Sequence, residues 1–301
     1  MPINEYGMNS DYVSYFSIEE YVDKIKLLPR LLDHLEDTNR SFDDYMKNLS
    51  RYDEEYIINY WIYLLYEELR SSQRIEGIKF NEKELADKEI FFESLEINHK
   101  RIHELHNFAT DGELEPTFEY RRHEVNVSRF TSDGKEEIFW RGSNACDVNR
   151  FMNDFIKLYK KGGTSLIFSN PFLVSGLMHL IFLRIHPYMD GNGRTSRIIH
   201  NIKFTESINK LYGTRLKLSP LNLSQSILVN KITYTKRIDN IYFDLDHDTN
   251  ESINMWFNFI LDMADEQIFS SSQKLDYMDD SHLISNVENK KVSGMRLSRL
   301  R

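Results

Sequence analysis

Apolar residues recur along most of this chain at the three-to-four-residue spacing of amphipathic helices. Residues 53–70, DEEYIINYWIYLLYEELR, place Ile57, Trp61 and Leu64 on one face of a predicted helix. The run PFLVSGLMHLIFLRI at 171–185 is the most apolar stretch and predicts another helix. The pattern therefore predicts a mainly α-helical fold.

Capping and helix-breaking residues set the expected helix limits. Ser17 followed by Glu20 resembles a capping box that opens the first helix, which Pro29 interrupts. Amphipathic spacing predicts further helices over residues 84–108, 147–161 and 253–269.

His103 and His106 lie three residues apart on the predicted 84–108 helix. Paired histidines can bind a metal ion, but no third ligand is nearby in the sequence. We therefore expect both side chains on a solvated helix face.

Residues 120–140 form the one segment with a convincing β pattern. Gly112 and Pro116 break the helical pattern before it, and EYRRHEVNVSRF then alternates polar and apolar residues. Asp133-Gly134 separates this run from a second one, and an Asp-Gly pair in that position is typical of a hairpin turn. The segment therefore predicts a β-hairpin.

The composition is that of a soluble globular protein. Of the 301 residues, 41% are hydrophobic and 28% charged, and the net charge of −9 disfavours broad nucleic-acid binding. The single cysteine, Cys146, excludes an internal disulfide framework and fits a reducing compartment. No signal peptide is visible, and the apolar run at 171–185 is too short to cross a bilayer. We therefore expect a cytoplasmic protein without a membrane partner.

The stretch HPYMDGNGRTSR at 186–197 combines a histidine, a carboxylate, small residues and two arginines. Pro187 ends the preceding apolar helix, because proline lacks an amide hydrogen and crowds the previous turn. His186 is therefore expected at a helix-to-loop junction. It is the only nearby side chain that titrates close to neutral pH, which makes it the candidate general base. Tyr188 is expected to anchor the loop in the core.

The second half of this stretch predicts a site for a polyphosphate. Gly191, Asn192 and Gly193 allow a tight turn, and the helix that follows points its first amides and positive end toward the turn. Arg194 and Arg197 lie three residues apart and add fixed positive charge on one helix face. Together these groups suit a di- or triphosphate.

Asp190 lies among these cations, just before the glycines. A carboxylate beside a phosphate site commonly holds Mg²⁺, which bridges phosphate oxygens. The G-x-x-x-x-G-K-[ST] spacing of a Walker-type loop is absent. Asp190 is therefore the predicted metal ligand of a different kind of phosphate site.

The whole stretch resembles the signature HPFx[DE]GN[GK]RxxR of Fic-domain proteins, with Tyr188 where phenylalanine is usual. The resemblance extends over roughly residues 18–270. It implies a Fic-type helical bundle with a β-hairpin flap over the active site. With it we predict an N-terminal helical region, a catalytic core with a helical extension, and a polar tail, at residues 1–112, 113–270 and 271–301.

The resemblance implies a protein adenylyltransferase, which transfers AMP from ATP to a hydroxyl group of a target protein. On that analogy His186 removes the proton of a Ser, Thr or Tyr hydroxyl, and Asp190 binds Mg²⁺. The remaining residues of the stretch hold the phosphates: Gly191, Asn192, Gly193, Arg194 and, for the γ-phosphate, Arg197. Self-modification and a homodimer are left open.

Two further segments match the family less closely. The flap strand would clamp the target segment by strand addition and touch the nucleotide through Val125, Asn126, Val127 and Ser128. The stretch NIYFDLDHDTNES resembles the segment that lines the adenine pocket, which points to Tyr242, Phe243 and Asn250. Aromatic residues at this spacing are equally typical of a plain core, so both interpretations stay open.

Residues 72–77, SQRIEG, resemble the inhibitory-helix motif [ST]xxxE[GN] of the same family. Ser72 and Glu76 are four residues apart and share one face of a helix predicted at about 68–77, and Gly77 is a natural helix stop. The resemblance implies that Glu76 forms a salt bridge with Arg197 and misaligns ATP. Misplacement by about 1 Å can lower a rate on the order of a hundredfold.

Three alternatives stay open at this stage. A related nucleotidyl- or phosphotransferase could use the same site, since Fic-like folds vary in which phosphate is attacked. Some family members remove AMP, with the inhibitory glutamate in a catalytic role. A non-catalytic regulatory or interaction module is the third, although both His186 and Asp190 are present.

Overall fold

The computed structural model describes residues 18–79, 95–111, 113–130, 136–161, 165–244 and 250–277. Apart from one pair of strands, the regular structure in these residues is helical, which confirms the predicted mainly α class. The elements in chain order are α1 (Ile18–Lys24), α2 (Pro29–Leu49), α3 (Glu54–Ile75), α4 (His99–Thr110), β1 (Asn126–Phe130), β2 (Glu136–Arg141), a 3₁₀ turn (Ala145–Asp147), α5 (Val148–Lys161), α6 (Leu166–Ser169), α7 (Pro171–Ile185), α8 (Asn192–Tyr212), α9 (Leu223–Val229), α10 (Lys231–Asp244) and α11 (Asn250–Tyr277).

Local capping explains where the N-terminal helices begin. Pro29 occupies the first turn of α2, where its missing amide hydrogen needs no partner, so it opens a helix that the sequence did not predict. Asp53 caps α3, since its side chain accepts a hydrogen bond of 2.8 Å from the amide of Tyr56. Ser17, half of the predicted capping box, lies outside the described residues.

The predicted 84–108 helix is only partly present in the described chain. Asn98 caps the start of α4 by accepting a hydrogen bond of 2.9 Å from the amide of Arg101, and the four residues before His99 are not helical. Residues 84–94 lie outside the described ranges. The helix thus begins where a capping asparagine satisfies its first amides.

His103 and His106 are buried, with 7% and 2% of their surface exposed, so the predicted solvated face is wrong. The ring of Tyr188 stacks on His106 at 3.7 Å between centroids, and its hydroxyl lies 2.8 Å from Nδ1 of His103. Burial lowers the pKa of both histidines. The error arises because the partner, Tyr188, lies some eighty residues away in the sequence.

The strands β1 and β2 pair antiparallel within the segment predicted to form a hairpin. Asn126 lies opposite Arg141 and Phe130 opposite Glu136, with a register shift between Val127 and Ser128. The predicted turn at Asp133-Gly134 lies outside the described residues.

Helix α7 occupies the centre of the core. All its residues except Arg184 are buried, and α8 and α11 both pack against it. Gly176 allows the close approach of α11: a Cβ there would lie 3.1 Å from Cγ1 of Ile260, and the indole of Trp256 donates a hydrogen bond of 3.0 Å to its carbonyl. On the outside, α2 packs against α11, and α3 against α9 and α8.

Helix α11 is longer than the predicted 253–269 segment. It begins at Asn250 and continues to Tyr277, with Ser271 and Leu275 buried. The first residues of the predicted polar tail are therefore helical and packed, because apolar side chains still recur on the inner face. The other predicted boundary, at residue 112, stays a prediction.

None of the helices in the described part of the chain combines the length and the apolar character that a bilayer crossing requires.

Replacing Gly176 with leucine should lower the free energy of unfolding by about 1–3 kcal/mol, because the new side chain must displace Ile260 from a filled core. Urea denaturation measures the change. Val229→Leu, at an exposed position at the end of α9, is the matched control and should stay within about 0.5 kcal/mol of the parent. Equal effects of the two substitutions would contradict this account of the α7–α11 contact.

Candidate active site

His186 lies at the end of α7 in a left-handed conformation, with φ 52° and ψ 62°. Its amide donates a hydrogen bond of 3.0 Å to the carbonyl of Phe182, which closes the last turn of the helix. A non-glycine residue in this region is uncommon and needs support from its surroundings. The prediction of a helix-to-loop junction at His186 is confirmed.

The imidazole of His186 is neutral at pH 7. Burial is the main cause that lowers its pKa, to about 4, and the charge of Arg121 acts in the same direction against the opposing carboxylates of Asp190 and Glu76. The neutral ring is the form that can accept a proton.

The loop after His186 is fixed by side-chain contacts with its own backbone. Asn192 accepts a hydrogen bond of 3.0 Å from the amide of Tyr188 and donates one of 2.8 Å to its carbonyl. Tyr188 is only 3% exposed, which confirms its predicted role as an anchor. The Asn192 side chain therefore closes the loop, an arrangement that the prediction of direct phosphate contact did not include.

Gly191 is the tightest position of the loop. Its φ is 77°, and a Cβ there would overlap Cγ2 of Thr110 and lie 3.0 Å from Nε2 of His106. That same histidine nitrogen lies 3.0 Å from the carbonyl oxygen of Asp190. Only glycine fits both the backbone conformation and the contact with α4.

Asp190 is exposed beside the N-terminus of α8. Its carboxylate accepts a hydrogen bond of 2.5 Å from the amide of Gly191 and lies 4.0 Å from the guanidinium of Arg194. Within the described ranges no group of three His, Cys, Asp or Glu side chains is arranged to hold a metal ion. A single accessible carboxylate still fits Mg²⁺ that is bound together with phosphates, since Mg²⁺ in such sites commonly uses one or two carboxylates and substrate oxygens.

Arg194 is buried and already paired. Its Nη1 donates to Glu113 at 2.7 Å and to the side chain of Gln73 and the carbonyl of Ala109 at 3.3 Å each. Glu113 lies 81 residues away and carries no signal in the sequence that would identify it as a partner. Arg194 therefore ties α8 to α3 and α4 as well as adding charge to the motif.

Arg197 is buried, 2% exposed, and joined to the end of α3. Its Nε donates to the hydroxyl of Ser72 at 2.8 Å, and its Nη2 donates to the Ser72 carbonyl at 2.9 Å and to the Glu76 carboxylate at 2.7 Å. Burial acts to lower the pKa of Arg197, but interaction with Glu76 and Tyr234 outweighs it and raises the pKa. Among the described residues, Nη1 of Arg197 has no hydrogen-bond partner.

The Glu76 carboxylate lies against Gly193 at the start of α8. A Cβ on Gly193 would overlap Oε1 of Glu76 and come within 3.3 Å of Nη1 of Arg197. Glu76 is the C-cap of α3, and Gly77 follows it with a φ of 78°. A carboxylate thus occupies the position where a helix N-terminus and a buried arginine would hold an anion.

Of the predicted flap residues, Val125 lies at the base of the strand pair, next to Gly142 and His186. The carbonyl of Val125 accepts a hydrogen bond of 3.1 Å from the amide of Gly142, and a Cβ on Gly142 would lie 3.3 Å from Cβ of His186. The other three residues belong to β1: Asn126, which is exposed, Val127 and Ser128.

The predicted adenine-pocket residues are distributed over two helices. Tyr242 and Phe243 belong to α10, and Asn250 is the first residue of α11. Its side chain accepts a hydrogen bond of 2.8 Å from the amide of Lys26, so it joins α11 to the loop between α1 and α2. The adenine assignment stays a prediction.

Sequence reasoning missed two polar residues of this region. Glu68 is buried one turn before Ser72 and accepts hydrogen bonds from the amide of Ser224 and from Nδ2 of Asn201, both 2.9 Å, as well as from the Ser224 hydroxyl. Burial raises its pKa. Its spacing of four residues from Ser72 and eight from Glu76, which places all three on one helix face, was the available signal. Arg121, the other residue, contacts the backbone of His186.

Comparison with known proteins gives a family match over part of the chain and a similar fold. Residues 96–202 match the profile of the Fic/DOC family. The structure of a Fic family protein from Desulfovibrio desulfuricans G20 aligns with a TM-score of 0.58 at 16% identity, over 89% of this chain and 84% of that one. A Fic domain containing signaling protein from Bacteroides thetaiotaomicron VPI-5482 gives 0.45 at 17% identity, over 87% and 97%. A search of curated proteins found no match.

Replacing Gly191 with alanine should destabilise the protein more than the same change at Gly213. Both glycines have positive φ, but a Cβ at Gly213 meets no atom within 4 Å. Gly213→Ala should therefore lower the free energy of unfolding by about 1–2 kcal/mol, which is the cost of alanine in a left-handed conformation. The overlap with Thr110 should add about 1–3 kcal/mol in Gly191→Ala. Urea denaturation of the two variants compares them directly, and equal losses would contradict the described contact between the loop and α4.

Proposed function

We propose that this chain, in which residues 96–202 form a Fic/DOC-family domain, is a protein adenylyltransferase that its own α3 helix holds inactive. It would transfer AMP from ATP to a hydroxyl side chain of a target protein. One observation carries the proposal: the carboxylate of Glu76 occupies an anion site, built by Gly193 and Arg197, at the turn that follows His186.

The proposed reaction is an in-line displacement at the α-phosphorus of ATP. The target hydroxyl oxygen forms a bond to this phosphorus, the bond to the bridging oxygen of the β-phosphate breaks, and pyrophosphate leaves. His186 accepts the hydroxyl proton. Its imidazole is neutral in the free protein, and the negative phosphates of a bound nucleotide would raise its pKa and so strengthen it as a base.

The phosphate site would use backbone and side-chain donors together. The first amides of α8 and the small surfaces of Gly191 and Gly193 allow close approach of phosphate oxygens. The Nη1 of Arg197, which lies beside Gly193, is a further donor at the same place. Asp190 would hold Mg²⁺ on the phosphates, where the ion offsets negative charge.

Inhibition follows from two anions that compete for one site. The Glu76 carboxylate and the γ-phosphate of ATP would both pair with Arg197, and a hydrogen bond to a charged group contributes about 1.5–3 kcal/mol. While Glu76 is in place, the triphosphate must bind without this contact, which turns its α-phosphate away from the attacking hydroxyl. Regulation would consist of moving the end of α3.

A target segment would add to the β1–β2 pair by strand addition, next to His186. The base of this pair lies against the histidine, which supports the family role of a flap. Backbone pairing recognises an extended segment without selecting its side chains. The target could therefore present serine, threonine or tyrosine, and could be a segment of the same protein.

Glu76→Gly and Glu76→Gln should both raise AMP transfer from α-labelled ATP, on the order of a hundredfold, because both remove the competing charge. Glutamine keeps nearly the volume of glutamate but not its charge. Comparing the two variants therefore shows whether the charge or the volume of the side chain inhibits transfer. Glu36→Gln, at an exposed position on α2, is the control and should leave transfer at the parent level. Autoinhibition by Glu76 is disproved if neither Glu76 variant exceeds this control.

The position of the label separates AMP transfer from phosphoryl transfer. In Glu76→Gly protein, α-labelled ATP should label protein and γ-labelled ATP should not, while His186→Ala in the same background should abolish labelling. Label from the γ-position would indicate a phosphotransferase. Labelled AMP released from modified protein, with no transfer to unmodified protein, would indicate an AMP-removing enzyme.

A further inference from the structure

We propose that Arg121 is a positioning residue for the reaction, which fixes His186 and the base of the β1–β2 pair in one register. The inference rests on the proposed function for its effect on rate. Arg121 touches neither the phosphate site nor the expected position of the hydroxyl, and acts through the backbone of the residues it holds.

The contacts of Arg121 join its own segment, just before β1, to two others. Its Nε donates to the carbonyl of His186 at 2.7 Å, its Nη1 to the carbonyl of His123 at 2.8 Å, and its Nη2 to the carbonyl of Ser143. Its backbone amide donates to Pro187 at 2.9 Å. Only 5% of Arg121 is exposed, so these hydrogen bonds are protected from water.

Two of these segments are the ends of the strand pair. His123 precedes β1 and Ser143 follows β2. One guanidinium therefore joins the start and the end of the strand pair to His186. Ser143 adds a second link, because its hydroxyl donates to the carbonyl of Ile185 at 2.7 Å. The base of the pair therefore has one defined position relative to His186.

The same arginine stabilises an unusual backbone. The left-handed conformation of His186 turns its carbonyl away from the helix axis, and such conformations persist only where neighbours hold them. A cation at the carbonyl end of α7 also interacts favourably with the helix dipole. Arg121 supplies both the donors and the charge.

Arginine suits this position and lysine does not. The planar guanidinium presents five donors in a fixed fork. Here it reaches the carbonyls of His123, Ser143 and His186 at once. A lysine ammonium at the same place is a single point and could hold one segment firmly at most. A target hydroxyl held by β1 would then shift relative to the imidazole, and an error of about 1 Å lowers a rate on the order of a hundredfold.

Arg122 is the matched control. It is the next residue in the chain and carries the same side chain, but it is exposed and pairs with Glu119 at 2.7 Å. Arg121→Lys and Arg122→Lys are compared in the active Glu76→Gly background. Each variant is assayed for AMP transfer at a series of ATP concentrations and for hydrogen exchange of its backbone amides.

Arg121→Lys should lower kcat about a hundredfold and leave the KM for ATP within about twofold, whereas Arg122→Lys should change neither. Ser143→Ala, which removes one link only, should lower kcat about tenfold and serves if Arg121→Lys does not fold. The proposal is overturned if Arg121→Lys retains the kcat of the control, or if kcat, KM and thermal stability all fall together.

Hydrogen exchange keeps the inference separate from the proposed function. If Glu76→Gly protein transfers no AMP, the proposed function fails, and exchange alone decides the role of Arg121. The amides of Gly142, His186 and Tyr188 should then exchange about tenfold faster in Arg121→Lys than in Arg122→Lys, with the core of α7 unchanged. Equal exchange in the two variants, or faster exchange throughout the protein, would overturn the positioning role of Arg121.

Discussion

The ion pair between Arg197 and Glu76 is the interaction on which the site depends. Arg197 is 2% exposed and Glu76 37%, so a buried cation meets a carboxylate that water can still reach. The pair lies at the positive end of α8, over a glycine that leaves room for one anion. The arginine requires an acceptor at this place, and the proposed function assigns the same place to two alternative acceptors, a glutamate and a phosphate.

Around this pair, the loop after His186 faces the end of α3. The first half is the loop from His186 to Asn192, held by the side-chain amide of Asn192, by the stack of Tyr188 on His106 and by Arg121. The other half is the last turn of α3, where Ser72 and Gln73 also bond to Arg197 and Arg194 and Glu76 follows as the C-cap. Glu68, buried two turns earlier, holds the body of α3 against Ser224. Moving this turn as a whole would break the contacts of Ser72 and Gln73, whereas a change of the Glu76 side chain alone would leave them in place.

The sequence predicted the mainly helical class and the elements that carry the motif residues, but not the contacts between distant segments. The residues from His186 to Arg197 are consecutive, and Ser72 and Glu76 are one helical turn apart, so local geometry was enough to place each on its element. Long-range contacts were not accessible in this way. Three contacts join segments some 60 to 85 residues apart, and spacing carries no information at that distance: Glu113 with Arg194, Tyr188 with the buried histidines of α4, and Arg121 with the backbone of His186. From sequence alone, Pro29 predicts only an interruption, because proline stops one helix and starts the next with equal ease.

Equilibrium binding of ATP and of AMP, measured by calorimetry on the parent protein and on Glu76→Gln, tests the shared anion site most directly. AMP lacks the β- and γ-phosphates and so should not compete with the Glu76 carboxylate. The account predicts that Glu76→Gln tightens the Kd of ATP by about tenfold or more, equivalent to about 1.4 kcal/mol, and leaves the Kd of AMP unchanged. An equal change for both nucleotides, or none for ATP, would contradict it.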